Sequence, residues 1–472
     1  MLGTVIALSA AMATATGHFT AIVDATLIDV SHHGKESSDI ENAVVLIDGD
    51  RVVAVGDRTQ VALPPHAHVI SARGRYVVPG LIDGFGAMRG QNFADAYLYE
   101  GVTTVYVTAT PPGGSVDGET HIVALHDGPS VLTGAAISGY SLSGNVPPPN
   151  QWLDHRLKDQ RLEKEALLKA VDAVADAGHR AITVGFDVWP DQLDTIVAQA
   201  HHRGLAVTAE LAYTSYPYAV RAGVDAFLRN DKYSLIVGRP QDFLAYAENP
   251  IGPDARTAFR AICSSQGVND ALAAFGSELS ASHTALMPML SMEATADDVG
   301  GPNPWTLRSA AFVSASDLDD PVDPKTGARP YLDSHPERRE AIRACARRKQ
   351  QIDAHLHELG ATFLAGSSAP GYGVMPGGGV HGEMKLLQQI GLSPREALAA
   401  ATSNFADVYA LSDRGRVEPG RRADLVILAS DPRKDVAAVD DISEVMIDGR
   451  FVDRLKLLKA AQARKGPHKP RG

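Results

Sequence analysis

The sequence has little cysteine, no long apolar run and no surplus of positive charge. Its 472 residues include only 2 cysteines, Cys263 and Cys345, and no Cys-x-x-Cys pair. That composition argues against a thiolate zinc site or a disulfide framework. Two buried thiols are expected, with one disulfide as the alternative in an oxidising compartment. No stretch reaches the roughly 18 apolar residues of a membrane span. The formal net charge of −12 argues against a nucleic-acid partner, because phosphate binding needs a basic face. The one basic cluster, which runs from Lys456 to the C-terminus, is expected to be a frayed, solvated tail over residues 456–472.

Basic residues are also missing from the start of the chain, before Lys35. Residues 1–18 are small and apolar, and Ala13-Thr14-Ala15 fits the cleavage pattern of a secretory signal, although the positive n-region is absent. Either a truncated signal or a leader segment is expected. The first implies a periplasmic or secreted protein, the second a cytoplasmic one.

What is present is ordinary globular material, 44% hydrophobic and 21% charged, enough for a large core. From residue 19 to 79, short alternating strands are broken by turns such as Asp48-Gly49-Asp50, a hairpin signal. The same texture returns over 413–455, with a second Asp-Gly turn at Asp448-Gly449. Two such halves predict one small composite β-sandwich formed from both chain ends. Over 80–412, apolar strands alternate with helical segments, as βα units do. The strands are placed at 81–86, 103–108, 136–140, 181–186, 206–211, 226–230, 285–290 and 362–368. Eight of them predict an α/β TIM (β/α)8 barrel. Segment 238–345 exceeds one βα unit and is expected to supply insertions over the barrel mouth.

Pro79-Gly80-Leu81-Ile82-Asp83 ends the first of these strands and is followed by Gly84-Phe85-Gly86-Ala87. Further along come Glu100-Gly-Val-Thr-Thr-Val105, Arg221-Ala-Gly-Val-Asp225, His381-Gly-Glu-Met-Lys-Leu-Leu387 and Gly415-Arg-Val-Glu-Pro-Gly-Arg-Arg-Ala-Asp-Leu425. This ordered series resembles the amidohydrolase superfamily, in particular its imidazolonepropionase and Xaa-Pro dipeptidase-like branch. The resemblance implies a metal-dependent hydrolase of carbon–nitrogen bonds, with ligands at the C-terminal ends of barrel strands. There one or two divalent ions would lower the pKa of a bound water.

The positions implied for those ligands carry other residues. Phe85 and Ala87 stand where the first strand of the superfamily has histidines, and Thr183 where the fourth has a lysine. Glu210 and Arg229 replace histidines of the fifth and sixth strands, and Ser368 an aspartate of the eighth. Only Glu210 retains a good metal donor, and the Arg229 guanidinium cannot deprotonate. No metal and no other cofactor is therefore expected. A Glu210–Arg229 ion pair is predicted in the vacated space, with Asp83 or Asp187 nearby. The favoured reading is a homologue without catalysis, binding a small molecule at the barrel mouth or assembling with itself or an active paralogue. The alternative is a metal-independent hydrolase acting through Glu210, His381 or the Ser367–Ser368 pair.

Other residues have plainer expected roles. His355 and His357 lie on a solvated helix face, and His66 and His68 on the surface of the β-domain. The glycine-rich run 371–380 is read as a flexible lid, with anion binding at the following helix as the alternative. Tyr213, Tyr216 and Tyr218 are candidates for an aromatic lip, with packing under the insertions as the alternative.

Overall fold

A computed structural model describes residues 19–36, 38–109, 127–139, 161–238, 262–334 and 336–464. The N-terminal leader and residues 465–472 of the basic tail lie outside the described residues.

Among the described residues, apolar runs too short for helices form two sheets of eight strands each. The first is mixed and mostly antiparallel, built from β1 (Phe19–Leu27), β2 (Ile40–Asp48), β3 (Arg51–Asp57), β4 (His68–Ser71) and β5 (Tyr76–Pro79). It is completed from the far end of the chain by β14 (Leu425–Leu428), β15 (Ile442–Ile447) and β16 (Arg450–Phe451). Their order is β16-β15-β14-β5-β1-β2-β3, with β4 beside β1. The seam between chain ends is the antiparallel pairing of β14 with β5, in which Val426 faces Val78. In hydrogen bonding this is a single continuous sheet rather than the expected two-layer sandwich. Its alternation explains how one sheet can bury two sides. Val78, Val426 and Leu428 join the large core of the molecule, while Val77, Leu425 and Ile427 pack with Ile22, Val45 and Met446 on the other face.

Both Asp-Gly signals form hairpin turns. Asp448 and Gly449 have φ of 49° and 71°, the paired left-handed geometry a two-residue turn favours. A Cβ on Gly449 would sit 1.9 Å from the Gly49 carbonyl oxygen. Glycine there lets the turn of one chain end rest on the turn of the other.

The second sheet holds β6 (Leu81–Asp83), β7 (Val102–Ala109), β8 (Ser130–Ile137), β9 (Ala181–Val184), β10 (Ala206–Ala209), β11 (Ala226–Leu228), β12 (Ala285–Met287) and β13 (Thr362–Phe363). Neighbours in sequence are neighbours in the sheet, and every pairing is parallel. Each strand falls within or across its expected segment, with ends shifted by a few residues. The outer edges of this curled sheet approach each other. The Gly84 N–H donates to Ala365 at 2.9 Å, and the Ser368 N–H to Phe85 at 2.7 Å.

Helices cover the outer face because their apolar spacing matches one helical stripe. In Lys164–Asp176 the buried residues are Leu167, Ala170, Val171 and Val174. The helix Pro190–His202 begins on a proline at its first position, where the missing N–H costs nothing. Gly178 and Gly204, with φ of 82° and 70°, follow the two helices and let the chain reverse. Inside the sheet a separate cluster packs Ile82, Tyr106, Leu228, Met287, Leu364, Phe405 and Tyr409. The Tyr106 ring fits because residue 134 is glycine, where a Cβ would lie 1.8 Å from its hydroxyl.

Three expectations are corrected here. Cys263 and Cys345 form a disulfide rather than two spectator thiols. The basic tail is not frayed from 456 onward, because Arg454–Arg464 is a helix, although Lys456, Lys459 and Arg464 stay exposed. It buries Ala461 against Ala96, Tyr99 and Phe312, and Arg464 pairs with Asp95 at 2.6 Å. The run 371–380 is packed rather than lid-like, with every residue from Gly373 to Val380 buried. A Cβ on Gly373 would meet the Pro321 backbone at 2.9 Å, and one on Gly379 would meet Val374 at 2.5 Å. Its glycines serve close backbone approach.

Candidate functional site

The C-terminal ends of the parallel strands carry the chemistry-bearing residues, and several have unusual backbone. Arg229, Met289 and Ser368 follow β11, β12 and β13 with φ of 61°, 58° and 58°. Non-glycine residues pay for this left-handed geometry, and such strain clusters at functional sites. Arg229 is held in it by its own N–H, which donates to Met287 at 2.9 Å, and by Asn230, which donates to Pro288 at 3.2 Å.

Glu210 follows β10, the neighbour of β11, so its side chain and that of Arg229 leave adjacent strand ends. Arg229 Nε lies 3.0 Å from Glu210 Oε1, with the side chains 33% and 15% exposed. The N–H is not aimed well enough for a hydrogen bond, so the contact is mainly coulombic. Glu210 accordingly raises the pKa of the guanidinium against the opposing effect of burial.

The remaining expected positions are apolar or otherwise engaged. Phe85 packs, half-buried, against the cluster inside the sheet. Ala87 contributes only a backbone carbonyl, to which the Tyr97 hydroxyl donates at 3.3 Å. Thr183 shares a hydrogen bond of 3.0 Å with Thr208. Asp83 is fully buried and joined to Ser367: its Oδ2 accepts the Ser367 hydroxyl at 2.5 Å and its Oδ1 the Ser367 N–H at 2.9 Å. Burial pushes the Asp83 carboxyl up to about 6. Asp187 accepts from the Ser138 hydroxyl at 2.6 Å.

His381 does not meet Ser367 or Ser368 through its ring nitrogens. Nε2 donates to the Glu100 carbonyl at 2.8 Å, and Nδ1 lies 3.0 Å from Asp440 Oδ1. The imidazole therefore ties the helix Gly378–Gln389 to two other segments. His357 is also less solvated than expected, meeting Glu396 at 3.3 Å with 18% exposure. Despite the upward push of burial, His357 and Ser393 hold the Glu396 carboxyl down at about 2.

The tyrosines separate into different roles. Tyr216 is buried, its hydroxyl accepting from the Leu211 N–H at 3.1 Å. Tyr218 reaches the surface residue Asp194 at 2.7 Å. Tyr213 alone stays at the strand ends, its ring centroid 5.1 Å from that of Trp189. Phe186 joins this lip: its carbonyl accepts from the N–H groups of Ala212 and Tyr213, and Lys232 Nζ sits 5.3 Å from its ring centroid.

Behind Arg229 lies a polar network that the sequence reading missed. Asn230 donates to Glu293 at 3.2 Å and to Asp353 at 3.0 Å. The Tyr233 hydroxyl donates to Asp353 at 2.7 Å, and Lys349 pairs with Glu293. Glu383 accepts the N–H groups of Leu290 and Ser291 at 3.0 and 2.7 Å, at the positive end of the helix Leu290–Asp297. Burial dominates in this network, pushing Asp353 up to about 7 and Glu383 up to about 8, and lowering Lys349. A sequence signal existed. Lys349 and Asp353 share the buried stripe of Ala346, Ile352 and Leu356 on the helix Arg339–Glu358, where charge needs a partner.

As for metal, Glu210 is a carboxylate facing a fixed cation, and Phe85, Ala87 and Thr183 are poor donors or none. This set does not fit the divalent centre that the resemblance implies. Among the described residues, no group of three or more His, Cys, Asp or Glu side chains could hold an ion. No helix among them is long and apolar enough to cross a membrane.

Comparison with known proteins places this fold. Residues 350–452 match the amidohydrolase family. An adenine deaminase of Bdellovibrio bacteriovorus is 42% identical over 78 residues, which is 16% of this chain and 12% of that protein. Among solved structures, the bottromycin amidohydrolase aligns with a TM-score of 0.65 at 21% identity, over 98% of this chain and 94% of that one. Molinate hydrolase aligns with 0.62 at 16% identity, over 97% and 99%. A prolidase-like structure from Bifidobacterium longum aligns with 0.59 at 19%, over 94% and 99%. The chain thus carries an amidohydrolase-family segment over residues 350–452 and shares its overall fold with these solved hydrolase structures.

Proposed function

We propose that this protein is an amidohydrolase homologue that binds a ligand at its strand ends without metal-dependent hydrolysis. The reading takes the parallel sheet as a (β/α)8 barrel that closes between β13 and β6. It takes the strand-end residues as replacements for the metal ligands of the family. The observation that carries it is the 3.0 Å contact between Arg229 and Glu210. A fixed positive charge stands in the space a divalent ion would need, and one carboxylate beside it cannot supply a coordination shell. The charge of the lost ion is supplied by the chain itself.

Function rests on the site and not on the fold, so the hydrolase names among the structural neighbours do not transfer. Hydrolysis of carbon–nitrogen bonds without metal would need a base beside Ser368, and His381 is engaged by Glu100 and Asp440. The test is turnover of a panel of N-acyl amino acids and dipeptides by purified protein, with zinc or manganese added. No turnover above buffer is expected. Metal-stimulated turnover that Glu210→Gln abolishes would overturn the reading.

A further inference from the structure

Arg229 has donors to spare. Its Nε faces Glu210, while among the described residues neither terminal nitrogen makes a hydrogen bond. A guanidinium has five N–H donors on separate edges, so one edge can face Glu210 while the terminal fork faces a second acceptor. The side chain is 33% exposed, which leaves that fork reachable. The strained backbone pinned to the end of β12 fixes where it stands. That kind of preorganisation suits a planar, two-oxygen partner.

The surroundings add an apolar requirement. Phe186, Trp189 and Tyr213 are all half-buried, and they rise from the ends of β9 and β10, next to β11. Lys232, one turn after Arg229, lies over the Phe186 ring and so connects the aromatic lip to the cationic side of the site. It also pairs with Asp231 at 3.2 Å. Arg229 and Lys232 are thus each already paired with a carboxylate, and an incoming anion must share Arg229 with Glu210.

We propose that the site takes a small carboxylate bearing an aromatic or bulky apolar group, with its carboxylate on the Arg229 fork and its apolar part against Phe186, Trp189 and Tyr213. This rests on the ligand-binding reading above and names the chemical class. Glu210 then acts as a built-in competitor that orients the guanidinium and limits affinity.

The test uses the full chain and calorimetric titration with 3-phenylpropionate, its neutral amide and propionate. Saturable binding of 3-phenylpropionate is expected, weaker by about tenfold or more for either of the other two compounds, which is about 1.4 kcal/mol. Arg229→Gln should remove the preference for acid over amide, and Phe186→Ala the preference for phenylpropionate over propionate. Should Arg229→Gln fail to fold, Glu210→Gln keeps the cation and must bind 3-phenylpropionate more tightly than the unaltered chain. Equal binding of acid and amide, no saturable binding, or unchanged affinity in Glu210→Gln each overturns the inference and leaves the absence of hydrolysis standing. Amide turnover would overturn the latter and leave the binding result intact.

Discussion

Asp83 and Ser367, 284 residues apart in sequence, are joined by a hydroxyl-to-carboxylate hydrogen bond of 2.5 Å in the interior. Asp83 ends the first strand of the parallel sheet and Ser367 follows the last, so this bond and the Gly84–Ala365 backbone bond hold the two edges together. The aspartate of the Pro-Gly-Leu-Ile-Asp series therefore serves the fold here. Asp83→Ala should lower stability by about 2–3 kcal/mol, since it strands two buried donors on Ser367. The urea midpoint measures this, and a loss below about 0.5 kcal/mol would contradict the role.

Removing Arg229 leaves Glu210 facing a partly desolvated space. Because Arg229 is 33% exposed, the loss for Arg229→Ala should be about 1–3 kcal/mol, below the 3–5 of a fully buried pair. Glu210→Leu combined with Arg229→Met should cost less than the single change. Denaturant unfolding of both single variants and the double variant checks this as a coupling energy.

The buried carboxyls make stability depend on pH. Asp83, Asp353 and Glu383 have folded values raised by burial to about 6, 7 and 8. Between the unfolded carboxylate range and these values, the folded state holds more protons than the unfolded state. Stability should then fall as pH rises from about 5 to 8. Melting temperature against pH measures the slope, and Glu383→Gln should flatten it most at the alkaline end. A melting temperature that rises over this range would contradict the assignment.

The Cys263–Cys345 disulfide closes a loop with a sequence separation of 82. Chain-entropy reasoning puts its contribution at about 4.5 kcal/mol, with native strain able to reduce it. Reduction, or replacing both residues with alanine, should lower the melting temperature without changing ligand preference at Arg229.

The sequence made the strands legible because each is a short apolar run between turn residues, and runs of that kind read alike in any context. Strand ends were less so: 362–368 shrinks to Thr362–Phe363 because Ser367 and Ser368 leave the ladder to meet Asp83 and Phe85. The Arg229 and Glu210 positions were legible through the family pattern, which assigns both to adjacent strand ends. The network of Lys349, Glu293, Asp353 and Glu383 was only partly so: Lys349 and Asp353 share one helix stripe, but Glu293 and Glu383 come from two other helices whose packing no local pattern encodes. His381 misled for a related reason. A histidine near two serines in sequence suggests a catalytic set, but helical rotation turns its ring toward Asp440. The glycine run 371–380 has the composition of a mobile loop, and only its contacts with Pro321 and Ser309 show that small size is what those positions need.

The central claim is that the Arg229 charge occupies the place of a divalent ion. Elemental analysis by mass spectrometry, on protein purified without chelator and again after dialysis against zinc and then manganese, tests it most directly. The expected result is well below one equivalent of any transition metal, unchanged by Glu210→Gln. About one bound equivalent, lost in Glu210→Gln, would contradict the account.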